Sequence, residues 1–144
     1  MTGLPVGVLV TDVDHFKRVN DEFGHQRGDA VLTDVAYVMR KRLRAFDLAY
    51  RIGGEEFLML LPGANVEETA AIAEDLREAI AGETLAGGLD ITMSFGVGAS
   101  LAGMPFDFST VFAEADAALY EAKRAGRDRV CRSSGASPQP APVV

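Results

Sequence analysis

The sequence predicts an α+β domain on a β-α-β-β-α-β core sheet with helices packed on it. Three observations carry this. Short apolar runs of strand length alternate with longer stretches whose apolar residues recur at helical spacing. The runs Leu48–Ile52 and Phe57–Leu61 are separated only by Gly53-Gly-Glu-Glu56, so they read as a hairpin. The element order β-α-α-β-β-α-β-α-β is that of a split β-α-β unit, ferredoxin-like and palm-like. Its first two strands run parallel, with the third antiparallel between them.

Each element has a local reason. Val6-Gly-Val-Leu-Val10 is a β-branched apolar run that reads as a buried strand ending at Thr11-Asp12. Phe16–Phe23 is a short helical stretch, and Gly24-His-Gln-Arg-Gly28 reads as loop. Asp29 is placed to open a helix to about Arg44, with Val31, Leu32, Val35, Val38, Met39 and Leu43 as its inward stripe. Pro62-Gly63 ends the second hairpin strand. Asn65 and Glu68 have capping-box spacing at the head of the next helix. Ala81–Gly88 is a small-residue loop, and Ile91–Val97 alternates as a strand. Ser109 is placed to cap a last helix, which Gly126 ends as a C′ glycine. Arg129-Val-Cys131 reads as an edge strand. From Ser133 to Val144 there are three prolines and no periodicity, so a disordered tail is expected beyond a domain of residues 1–132.

A length of 144 residues suits one domain. Fourteen Lys and Arg against twenty-one Asp and Glu give a net charge of −7. That disfavours a protein gripping a nucleic-acid polymer, where a basic patch is expected. It leaves room for a single nucleotide held by a few cations. The lone cysteine, Cys131, excludes an intramolecular disulfide and fits a reducing compartment. No apolar run nears the ~18 residues of a membrane span. Met1–Pro5 lacks a signal-peptide start. A cytoplasmic setting, with no membrane segment in this chain, is expected.

Five groups of residues could carry chemistry. Asp12-Val-Asp14 closes the first strand, and the split β-α-β order brings Glu55-Glu56 of the hairpin to the same sheet end. Clustered carboxylates repel one another and call for a cation. Hard oxygen ligands at an open site suit Mg²⁺ carried by phosphates. The simpler alternative is a strand end and a solvated turn. The turn Asp14-His15-Phe16-Lys17 opens a helix, where N–H groups and the lysine favour an anion. Asn20, His25 and Asp29 flank Gly24 and Gly28; an amide and a carboxylate can read a guanine edge, or can simply cap helices. Lys123 and Arg127 straddle Gly126 and suit either a helix dipole or phosphate. Arg44 and Asp47, three apart at a helix end, read by default as a solvated pair.

These residues together resemble a family. Gly53-Gly-Glu-Glu-Phe57 is similar to the signature of the GGDEF domain in its GGEEF form. Asp12-Val-Asp-His-Phe-Lys-Arg-Val-Asn20 resembles the family's metal and phosphate turn, and Phe23-Gly-His-Gln-Arg-Gly-Asp29 its guanine loop. Ile91–Gly98 resembles its late strand and Ala115–Arg127 its last helix. The likeness runs from about Val6 to Cys131.

The resemblance implies a diguanylate cyclase, which joins two GTP into cyclic di-GMP and two pyrophosphates. It implies Mg²⁺, or Mn²⁺ in its place, on Asp12, the Val13 carbonyl and Glu55. Glu55 or Glu56 would take the 3′-hydroxyl proton, and Lys17 would stabilise transition-state charge. His15, Phe16, Lys17, Lys123 and Arg127 would bind phosphates, and Asn20, His25 and Asp29 guanine. Arg44 and Asp47 would form a product-inhibition site. Each domain would hold one GTP, so a homodimer is implied. The alternative is a module that binds GTP or cyclic di-GMP without turnover.

Three departures stand out. Thr2-Gly-Leu-Pro5 runs straight into Val6, where family members carry a further helix. Gly126-Arg127 is followed by Asp128 where the family has asparagine. A supporting arginine of the inhibitory site is replaced by Asp75, with Arg77 nearby.

Overall fold

A computed structural model of the chain describes residues 3–133. Apart from Ser133, the expected tail lies outside the described residues. The elements are β1 (Val6–Val13), α1 (Phe16–Phe23), α2 (His25–Arg42), β2 (Leu48–Arg51), β3 (Glu56–Pro62), α3 (Val66–Ala81), β4 (Thr84–Leu85), β5 (Leu89–Asp90), β6 (Met93–Ala99), α4 (Phe108–Arg124) and β7 (Val130–Arg132).

The main sheet has the order β2-β3-β1-β6-β7. β3 is antiparallel to both β1 and β2, so β2 runs parallel to β1 with β3 between them. This is the predicted split β-α-β. β6 closes on the other side of β1, antiparallel to it, and β7 joins β6 in parallel at the edge.

Alternation along the strands divides the core into two layers. Leu9, Val13, Met59, Phe95 and Val97 face α2 and α3. Val8, Val10 and Leu58 face α4 through Val111, Ala115 and Leu119. The α4 layer is unusually close. A Cβ on Gly96 would lie 2.1 Å from the Ala115 carbonyl oxygen and 2.2 Å from the Leu119 nitrogen. Only glycine there lets the helix lie directly on the strand. The seating of α4 matters because its last turn carries Lys123.

Several boundaries differ from the sequence reading. Gly24-His-Gln-Arg-Gly28 is a helix junction: α2 begins at His25 and ends at Arg42, not Arg44. Gly24, at φ 89°, is the only break between α1 and α2. Gly28 lies inside α2, where a Cβ would come within 2.0 Å of Asn20 Oδ1. The two glycines thus serve a sharp break and a close helix crossing. Asp29 lies within α2 and opens no helix. The small-residue loop holds the short hairpin of β4 and β5. β6 starts at Met93 rather than Ile91. Asp107, not Ser109, stands at the head of α4. The Asn65–Glu68 capping box is formed, with both reciprocal bonds present. Among the described residues no helix is long and apolar enough to cross a membrane.

Candidate active site

The site grows from the end of β1. The strand period puts Asp12 on the α4 side together with Val8 and Val10. In register it stands opposite Glu56 of β3 and Ser94 of β6. The Val13 amide donates to the Glu55 carbonyl at 3.3 Å. The end of β1 and the Gly53–Glu56 turn therefore coincide, as the topology predicted.

An open cavity of about 550 Å³ lies at this junction. Asp12, Val13 and Glu55 reach it from the strand ends. His15, Phe16 and Lys17 reach it from the turn into α1, and Lys123 and Arg127 from the end of α4. Arg18, Asp21 and Glu22 also line it; they went unremarked in the sequence because nothing but the fold of α1 brings them there. His15 has a left-handed backbone, φ 56°, which turns the chain sharply from β1 into α1. The first N–H groups of a helix have no partner within it, so the rim beside Asp12 is a natural anion seat.

The electrostatics centre on Asp12. Its carboxylate forms an ion pair with Lys123 through Oδ2. Its other oxygen, Oδ1, is buried and has no hydrogen-bond partner. Burial pushes the Asp12 carboxyl above its ordinary range. Lys123 opposes that shift, while Glu56 and Asp14 add to it.

Asp14 departs from the expected carboxylate cluster. It lines the cavity too, but it is buried and its oxygens are already taken: Ser94 Oγ donates to Oδ1 at 2.6 Å, Thr92 Oγ1 to Oδ2 at 2.7 Å and the Asp128 amide to Oδ2 at 3.0 Å. Its work is to anchor strand ends. Among the described residues no three acidic, histidine or cysteine side chains converge as a metal cluster. The available donors are two carboxylates, Asp12 and Glu55, and backbone oxygen.

Lys17 is exposed and pairs with Asp21 one turn on, at 2.9 Å. Such a pair contributes little and yields readily to a stronger anion. Asn20 lies in α1, and His25 and Asp29 lie near the start of α2, on either side of the Gly24 break; none lines the 550 Å³ cavity. Neither Asn20 nor Asp29 caps a helix. Asn20 Oδ1 is buried with no partner, wedged against Gly28.

Arg44 and Asp47 are bound to one another rather than solvated. Arg44 donates from Nε and Nη2 to the Asp47 carboxylate at 2.8–3.1 Å. The Arg44 amide adds a bond at 2.8 Å, and Nη2 also reaches the Pro62 carbonyl at 3.2 Å. The Asp47 side chain is wholly buried. Asp75 is not a bare charge either: Arg42 donates to both its oxygens, at 3.1 and 3.2 Å. Arg51 bonds the carbonyls of Gly53 and Gly54 at 3.3 and 2.7 Å and braces the glycine turn. Its place one residue before Ile52-Gly53 was the available signal.

The family model described as diguanylate cyclase, GGDEF domain, matches residues 1–129. The diguanylate cyclase DgcP of Pseudomonas aeruginosa is 48% identical over 130 residues, covering 85% of this chain and 18% of that protein. The diguanylate cyclase DosC of Escherichia coli is 40% identical over 131 residues, covering 90% of this chain and 28% of that protein. The chain thus spans less than a third of either relative. Among solved structures, the active GGEEF domain of a diguanylate cyclase from Vibrio cholerae has a TM-score of 0.84 at 34% identity, covering 90% of this chain and 83% of that one. The GGDEF domain of DgcB from Caulobacter crescentus, in complex with cyclic di-GMP, has a TM-score of 0.79 at 35% identity, covering 89% and 77%.

Proposed function

This chain belongs to the diguanylate cyclase GGDEF domain family, and on that premise we propose that it condenses two GTP into cyclic di-GMP with release of two pyrophosphates. The observation that carries the reading is Asp12: a buried carboxylate with one orphaned oxygen, in a cavity shared with Glu55, Lys123 and Arg127.

That orphaned oxygen fits a divalent cation. A buried acceptor without a partner is costly, and a hard metal ion satisfies it. Asp12, the Val13 carbonyl and Glu55 would hold Mg²⁺, or Mn²⁺ in its place. When bound, the ion offsets phosphate charge and polarises the α-phosphate.

The chain's own residues do the rest. Backbone at His15 and Phe16, with Lys17, Lys123 and Arg127, receives the phosphates. Asn20, His25 and Asp29 hold guanine; the buried Asn20 Oδ1, without a partner and set against Gly28, supports that assignment. Glu55 or Glu56 takes the proton of the 3′-hydroxyl as its oxygen attacks the α-phosphorus, and the bond to pyrophosphate breaks. Glu56 stands opposite Asp12 in the sheet, and Glu55 lines the cavity. Lys17 offsets charge as it develops. Catalysis here is positioning plus charge neutralisation. One domain presents one nucleotide, so ring closure needs a second copy facing it. Arg44 and Asp47 form the product-inhibition site.

The test is incubation with GTP and Mg²⁺ at high protein concentration, read by chromatography. Cyclic di-GMP and pyrophosphate are expected in a ratio of one to two. Tight binding of GTP without product would reassign the chain as a binding module.

A further inference from the structure

We propose that Arg77 of α3 is a positioning residue for nucleotide phosphate: through Asp128 it fixes the turn that aims Arg127 into the active-site cavity. The inference rests on the reading of Arg127 as a phosphate ligand.

The turn after α4 is strained. Gly126, Arg127 and Asp128 have φ values of 126°, 66° and 49°. Two consecutive non-glycine residues in the left-handed region are rare, and they persist only where the surroundings hold them. Part of the hold is local: the Arg127 amide bonds the Ala122 carbonyl at 2.9 Å and closes the helix end. Arg129 Nε adds a bond to the Arg127 carbonyl at 3.0 Å, and the long-range hold comes through Asp128. Its amide donates to Asp14 Oδ2 at 3.0 Å, and its carboxylate accepts from Arg77 Nη1 at 2.8 Å.

Both anchors are themselves fixed. Asp14 is tied to Thr92 and Ser94. Arg77 spends its remaining fork on Glu74, at 2.9 and 2.6 Å, and its side chain is only 20% exposed. A planar guanidinium held along one edge and presenting its other nitrogen is a rigid bracket. It spans 51 residues of sequence and joins α3, otherwise remote from the cavity, to its rim.

Electrostatics sharpen the role. Asp128 is a carboxylate adjacent to Arg127, beside a cavity meant for phosphate. Arg77 neutralises it and holds it away. Without Arg77, the freed carboxylate would compete for the Arg127 guanidinium and draw it from the cavity.

The test is a double-mutant cycle on the full chain, using calorimetry with a non-hydrolysable GTP analogue. Urea unfolding of each variant ensures that binding is measured where all are folded. Arg127→Met should weaken the analogue about tenfold, the scale of one lost charged hydrogen bond. Arg77→Met should weaken it several-fold, and Arg77→Lys by clearly less, because the charge facing Asp128 is kept. The double variant Arg77→Met, Arg127→Met should bind no worse than Arg127→Met alone. A purely structural role predicts additive losses instead, and additivity would overturn the inference, as would wild-type affinity in Arg77→Met. Wild-type affinity in Arg127→Met would overturn the phosphate reading itself, and the inference with it.

Discussion

Lys123 closes on Asp12: the ammonium at the end of α4 pairs with Oδ2 of the buried carboxylate at the end of β1. The same lysine lines the cavity proposed for phosphate. It neutralises the carboxylate whose other oxygen, Oδ1, a metal ion would use, so nucleotide and metal would draw the pair apart together.

Lys123→Met should therefore have opposite effects on two ligands. Mn²⁺ alone, followed by electron paramagnetic resonance, should bind several-fold more tightly, because no internal cation competes for Asp12. The GTP analogue should bind about tenfold more weakly, with one phosphate partner lost. Parallel weakening of both would show that the lysine does not exchange between them.

Glu55→Gln keeps the shape of the side chain and removes its charge. Product formation should fall by roughly 10²-fold or more, the range of a lost acid–base or metal contact. Stability without nucleotide should hold or rise slightly as repulsion near Asp12 and Glu56 is relieved. Near-wild-type turnover by chromatography would remove Glu55 from the mechanism.

Guanine should be favoured over adenine. Adenine presents the opposite donor–acceptor pattern to Asn20 and Asp29, and an unmatched polar group costs ~1–3 kcal/mol. Calorimetry should thus find the GTP analogue roughly tenfold to a hundredfold tighter than its ATP counterpart. Asn20→Ala should narrow that gap. Equal affinities in the wild type would contradict the guanine assignment.

Arg44→Ala leaves the Asp47 carboxylate buried with only a backbone partner. A loss of about 1–2 kcal/mol in urea unfolding is expected, since an unpaired buried acceptor carries that cost. Cyclic di-GMP binding should disappear, with GTP-analogue affinity unchanged. Because Asp47 already engages the Arg44 fork, binding in the wild type must compete with that internal bond and should be weak. Identical cyclic di-GMP titrations for the two proteins would sink the assignment.

Gly96→Ala tests the seating of α4. The new methyl would meet the backbone of Ala115 and Leu119, which cannot rotate away. Overpacking of this kind costs about 1–3 kcal/mol or more. Lys123 would shift with the helix, so analogue affinity should fall alongside stability. Unchanged stability would mean that α4 can lift off β6 freely.

Much of this was legible along the chain because it depends on short-range periodicity. The stripe of Val31, Val35 and Val38 defined α2, and the Asn65–Glu68 spacing announced the capping box that forms. The hairpin at Gly53–Glu56 and the strand ending near Asp12 sufficed, with the split β-α-β rule, to bring those carboxylates to one sheet end. The Gly24–Gly28 segment misled for a physical reason. Two glycines look like a loop, yet one serves a sharp helix junction and the other a close helix crossing, and the sequence distinguishes neither.

What the sequence determined by itself was the order of the main elements, the directions of the first three strands and a large part of the cavity lining. All three follow from patterns within one element or between neighbours. Only the tertiary structure decided the partners. Asp12 lies at the end of β1 and Asp14 two residues on, in the turn that follows, yet one meets Lys123 and keeps an orphaned oxygen, while the other is held by Thr92, Ser94 and Asp128. Asp75 and Asp128 stand out in the sequence only as departures from the family pattern, and in the fold Arg42 and Arg77 pair with them. Charge pairing is set by distances in space between segments far apart in the chain, and no periodicity encodes which cation a carboxylate will find.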